Sequence, residues 1–149
     1  MKYFSLLGLL LLFFQASGQA QTDPVQWQYE ARATEDGQFD VVFTATVAPG
    51  WNIYSQHTDP SGPVPTAIVF AENDQLELVG ATEESGKRKE GMDDLFGVTV
   101  IKFADQVVFT QRVQAKSGAP TLTGYIEYMS CDDEKCLPPK EVDFSIPLK

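Results

Sequence analysis

Cys131 and Cys136 are the two cysteines of the 149-residue chain. They lie in Tyr125-Ile126-Glu127-Tyr128-Met129-Ser130-Cys131-Asp132-Asp133-Glu134-Lys135-Cys136-Leu137-Pro138-Pro139, between two segments that alternate like β-strands. A pair so spaced supports three kinds of chemistry: half a metal site, a structural disulfide, or a couple that cycles between disulfide and dithiol. Structural zinc wants four Cys or His ligands, and the chain adds only His57, with Met92 and Met129 as soft donors. Copper(I) on Cys131, Cys136 and Met129 is the one metal reading, and the spacing carries no copper signature. The expectation is no metal and no cofactor.

A structural bridge suits an oxidising compartment, but closing a six-residue loop contributes only about 2 kcal/mol. For a redox couple the neighbours set the polarity. Asp132, Asp133 and Glu134 disfavour a thiolate at Cys131, whereas Lys135 favours one at Cys136, the better nucleophile. Pro138 and Pro139 keep the following chain extended and remove two backbone donors. Glu127 and Asp132 could handle protons, although acids at a hairpin are usually solubilising. On these residues alone the redox and structural readings both stay open.

Export bears on the choice. Lys2 precedes a run of twelve mostly apolar residues, Tyr3 to Phe14, followed by small and polar residues to Ala20. This is the pattern of a secretory signal peptide spanning residues 1–20, too short for the roughly 20 residues of a membrane helix. The expected mature domain is 21–149, periplasmic or secreted, without direct membrane insertion. Loss of Lys2 takes the formal net charge from -10 to -11 over 129 residues. So acidic a domain is a poor partner for nucleic acid, which is bound by clustered Lys and Arg, and it is large enough to build one core.

The elements that must position the cysteines have a period of two. Trp27, Tyr29, Ala31 and Ala33 alternate with polar residues, as do Phe39, Val41, Phe43, Ala45 and Val47. Similar runs occur at 66–71, 75–81, 97–103, 106–114, 121–129 and 140–147, separated by turn formers such as Glu35-Asp36-Gly37 and Ala104-Asp105-Gln106. Seven to nine antiparallel strands predict an all-β, immunoglobulin-like sandwich, with a closed barrel as the alternative. Two segments break the pattern. Tyr54 to Pro65 carries three prolines and reads as a stiff surface loop; His57 within it reads as solvated. Glu83 to Gly97 is charged and reads as a second long loop, of the kind that is usually functional.

Three ordered segments resemble the periplasmic N-terminal domain of the thiol:disulfide interchange protein DsbD. Gly124 to Pro139 is similar to that family's cysteine hairpin, Gly50-Trp51-Asn52-Ile53-Tyr54-Ser55 to its aromatic strand, and Asp93-Asp94-Leu95-Phe96-Gly97 to its cap loop. The resemblance spans about residues 25 to 147. It implies a cofactor-free immunoglobulin-like domain that takes electrons from a thioredoxin-like domain and passes them to exported oxidoreductases, such as disulfide isomerases and the thioredoxins of cytochrome c maturation. Position by position, it makes Cys136 the cysteine that forms mixed disulfides and Cys131 its resolving companion. Leu95 and Phe96 become cap residues, and Tyr54 an aromatic beside the pair; Trp51, Pro138 and Pro139 complete the surroundings. Best-known members have one more residue between the cysteines and an aromatic where Leu95 stands. Their reductase is a membrane-associated partner, which this chain would meet in trans. The alternative is a secreted immunoglobulin-like binding module whose bridge is purely structural.

Overall fold

The computed structural model describes residues 22–149; the expected signal peptide lies outside them. Among the described residues the strands are β1 (Val25–Ala33), β2 (Gln38–Val47), β3 (Asn52–Tyr54), β4 (Ala67–Phe70), β5 (Leu76–Asp93), β6 (Val98–Ala115), β7 (Thr121–Tyr128), β8 (Ser130–Cys131) and β9 (Lys140–Pro147). One sheet runs β1-β2-β6-β3-β8 with β5 also paired to β6; the other runs β4-β7-β9. All pairings are antiparallel. This is the predicted all-β, immunoglobulin-like sandwich.

Alternation puts the core between the sheets. Val41, Phe43, Ala45 and Val47 of β2 and Val107, Phe109 and Val113 of β6 are buried against Leu122, Ile126, Phe144 and Ile146 of the facing sheet. Phe43 and Phe144 meet across the gap edge-on, with ring centroids 4.9 Å apart. Gly124 lets β4 and β7 close: a Cβ there would lie 2.0 Å from the Val69 carbonyl oxygen.

Two expectations change. Glu83 to Gly97 is not a long loop, because residues 83–93 are the second half of β5 and only four residues, 94–97, join Asp93 to its partner Val98. This half forms the edge of the sheet, mostly exposed on both faces, so no apolar alternation marks it; charges suit an edge strand that must not pair with other chains. Ala104-Asp105-Gln106 is not a turn between two strands either. The chain runs on as β6, with Asp105 at φ 64° and a register shift opposite, between Gly86 and Arg88. The turn signal became a bulge.

β6 positions the site. Its 106–114 segment pairs with β2 and its 102–103 segment with β3, while β5 follows the opposite edge of both. The short β3 is thereby held between β6 and the cysteine-bearing β8.

Candidate functional site

Cys131 and Cys136 form a disulfide, with Cα atoms 4.0 Å apart. Cys131 is held because β8 adds to β3 in the register Asn52 to Cys131 and Ile53 to Ser130. The chain then turns back on itself. The Asp132 N–H donates to the Lys135 carbonyl and the Leu137 N–H to the Ser130 carbonyl, both at 2.9 Å. Asp132 builds the turn: its Oδ1 accepts the N–H groups of Glu134 (2.9 Å) and Lys135 (2.8 Å). Those donors hold its carboxyl below the usual carboxylate range, so Asp132 acts as the turn's acceptor.

The two cysteines differ in exposure. Cys131 is 2% exposed, whereas Cys136 is only partly buried. Cys131 clusters with buried Tyr54 and Val100, and Phe96, Val98, Met129 and Cys136 pack around them. The pair is thus no open tip: one sulfur lies in an apolar cluster on the face of the sheet turned away from the main core. An apolar setting disfavours a thiolate. Burial, then the nearby Asp93, pushes the Tyr54 hydroxyl far above its usual pKa, so the phenol stays neutral.

Phe96 arrives on the β5–β6 hairpin. The Asp93 carbonyl accepts the Gly97 N–H at 2.7 Å, and Gly97 takes φ 68°, a left-handed value that glycine adopts without strain. The Asp93 carboxylate, 7% exposed as a residue, accepts the Leu95 N–H at 3.0 Å and the Lys102 ammonium at 2.9 Å. The proline loop supports this hairpin from behind. Gly62 sits so close that a Cβ would lie 2.8 Å from Val98 Cγ2 and 3.4 Å from Phe96 Cβ. That loop is fixed in turn by the Ser55 N–H to the Ile101 carbonyl (2.9 Å), the Thr66 hydroxyl to the Tyr54 carbonyl (2.6 Å) and the Ile101 N–H to Thr58 Oγ1 (2.9 Å). His57 is exposed, as read.

The expected site residues separate into two groups. Tyr54 and Phe96 join Cys131 and Cys136, with Asp93 and Gly97 shaping the hairpin. Leu95 is 46% exposed and lies outside the cluster, as does exposed Asp94; one turn carries both Leu95 and Phe96, and of the two only Phe96 packs on the cluster that holds Cys131. Trp51 packs on the main core. Pro138 and Pro139 line a groove of about 290 Å³ with Asp23, Tyr128, Ser130, Leu137 and Lys140, beside the hairpin rather than over the disulfide. Sequence reasoning missed Asn52, Val100 and Lys102, and named Met129 only as a soft metal donor, whereas it packs on the cluster that holds Cys131. Only Asn52 carried a signal, as a polar residue inside the Gly50 to Ser55 strand.

This arrangement suits thiol–disulfide exchange. A thiolate must approach one sulfur along the S–S axis and expel the other, and of the two cysteines Cys136 is the more exposed. No curated protein matches the chain in sequence. Among solved structures it is similar to the DsbD N-terminal domain of Neisseria meningitidis in the reduced form (TM-score 0.56, 19% identity, 81% of this chain and 84% of that one). It is also similar to the N-terminal periplasmic domain of ScsB from Proteus mirabilis (TM-score 0.60, 18% identity, 87% of this chain), of whose length it covers 47%. These likenesses show a shared fold. The family described as thiol:disulfide interchange protein DsbD, N-terminal, matches residues 19–147, nearly the whole described chain, and the protein belongs to that family.

Proposed function

We propose that this domain is a periplasmic thiol:disulfide relay that exchanges electrons with thioredoxin-like proteins through Cys136. A partner thiolate attacks Cys136 Sγ, the Cys131–Cys136 bond breaks, and Cys131 leaves as a thiolate that takes up a proton. The partner's second thiol then attacks its own sulfur in the mixed disulfide, loses its proton and releases Cys136. The partner is oxidised and the domain holds both electrons as a dithiol. In the second half the Cys136 thiolate attacks a client disulfide and Cys131 resolves the intermediate. Donor and clients are of the kinds the family resemblance implies, including exported disulfide isomerases and cytochrome c maturation thioredoxins.

The observation that carries this reading is the unequal exposure of two bonded cysteines beside the Phe96 ring. A permanent staple needs no such asymmetry. Export is supported by the signal-like residues 1–20 and by the periplasmic setting named for the ScsB relative. Equilibration with dithiol buffers tests the proposal. A relay gives a potential among those of thioredoxin-family proteins, about -270 to -120 mV; a staple gives one below about -300 mV, with marked loss of stability on reduction.

A further inference from the structure

Asn52 stands directly across from Cys131 in the β3–β8 register. Residues so paired point to the same face with Cβ atoms about 4.5–5.5 Å apart, within reach of a side-chain hydrogen bond. Asn52 is 8% and Cys131 2% exposed. The Oδ1 of Asn52 is closed off from solvent and accepts no hydrogen bond, one of two such side-chain atoms among the described residues. An acceptor buried without a donor destabilises the state that contains it. A disulfide sulfur has no proton to offer, whereas a thiol is a donor, if a weak one.

We infer that Asn52 tunes the redox couple by accepting a hydrogen bond from the Cys131 thiol, a bond available only after reduction. The inference rests on the relay reading and adds a determinant of its driving force. When a partner dithiol delivers two electrons and two protons, the S–S bond breaks and Cys131 takes one proton as S–H. That proton satisfies Oδ1. The oxidised protein therefore carries an orphan acceptor that the dithiol form loses, and the equilibrium tilts toward the dithiol. The bond also keeps Cys131 protonated and oriented, leaving Cys136 as the free thiolate-forming partner.

The test compares the natural protein with Asn52→Leu, similar in shape and without an acceptor, by equilibration against dithiothreitol. Asn52→Leu should shift the constant toward the disulfide by about three- to tenfold, a tenfold shift being about 30 mV more reducing. Melting of both redox forms separates tuning from packing. Tuning raises the Tm of the oxidised variant relative to the natural protein and lowers that of the reduced one, whereas a packing role moves both in the same direction. A second measurement needs no Asn52 variant to fold: in reduced Cys136→Ser protein the Cys131 S–H stretch should lie at the lower frequency of a hydrogen-bonded thiol. Equal constants for natural protein and Asn52→Leu, or a free S–H band, would overturn the inference. A natural-protein potential below about -300 mV would instead fail the relay reading, whatever the variants do.

Discussion

The ring of Phe96 meets the ring of Tyr54 edge-on, with centroids 6.0 Å apart and planes at 88°. This contact closes the β5–β6 hairpin over the cluster that holds Cys131. Edge-to-face pairs contribute about 0.5–1.5 kcal/mol beyond their burial. In the proposed relay this is the contact that a docking protein would have to break to reach the disulfide.

Phe96→Ala should therefore speed reduction of the disulfide by dithiothreitol about fivefold, the factor that corresponds to about 1 kcal/mol of closing energy. Leu95→Ala, one residue earlier on the exposed side of the same turn, should leave the rate unchanged. Stopped-flow tryptophan fluorescence follows both.

The Lys102–Asp93 pair anchors that hairpin, with side-chain exposures of 27% and 6%. Lys102→Met leaves a buried carboxylate with only the Leu95 N–H for company. Removing one partner of a buried pair costs about 3–5 kcal/mol; with Lys102 partly solvated, we expect about 2 kcal/mol in urea unfolding. Asp93→Asn, which keeps an acceptor for Leu95, should cost less.

Asp23 ties the first described residues to the cysteine-bearing end of the fold. Burial pushes its carboxyl upward, but the Lys140 ammonium and the Tyr128 hydroxyl, with the Val25 N–H, outweigh this and hold it below its usual value. The native state then binds fewer protons than the unfolded chain at mildly acidic pH. This contribution is complete above the unfolded carboxyl pKa of about 3.9 and is lost as the pH falls through the lower folded value. Thermal melting should show Asp23→Asn to be less stable than the natural protein at pH 6, with the gap closing below about pH 4.

Strand β2 was legible because one face is dry: Val41, Phe43, Ala45 and Val47 alternate as a half-buried strand must. The outer half of β5 was not, since both faces of an edge strand can be wet and residues 83–91 then look like a loop. The cysteine hairpin and its aromatic neighbours could be named from their motifs. Which neighbours touch the sulfurs depended on non-local register and on one turn. Leu95 and Phe96 are equivalent in sequence, and the left-handed Gly97 with the Asp93 cap decides which faces inward. Asn52 reaches Cys131 only through a strand pairing spanning nearly eighty residues, which no local pattern encodes.

Gly124 is a further point where one atom decides the fold. A methyl group there would overlap the Val69 carbonyl and meet the Phe144 ring at 2.7 Å, with no flexible neighbour to yield on the backbone side. Gly124→Ala should cost more than about 3 kcal/mol and abolish cooperative melting at ordinary temperature. Gly118, where a Cβ meets nothing within 4 Å, is the comparison: Gly118→Ala pays only for its left-handed φ of 67°, about 1 kcal/mol.

The central claim is that the Cys131–Cys136 pair trades electrons with other proteins through Cys136. A Cys131→Ser variant mixed with a thioredoxin-like protein whose second cysteine is replaced by serine, and whose remaining active-site cysteine is activated as a thionitrobenzoate mixed disulfide, tests it most directly, because Cys136 displaces thionitrobenzoate and the resulting protein–protein disulfide then has no active-site thiol on either side to resolve it. The account predicts a stable covalent complex with the partner's cysteine linked to residue 136 by peptide mass spectrometry, and none with Cys136→Ser. Equal trapping by both variants, or by neither, would contradict it.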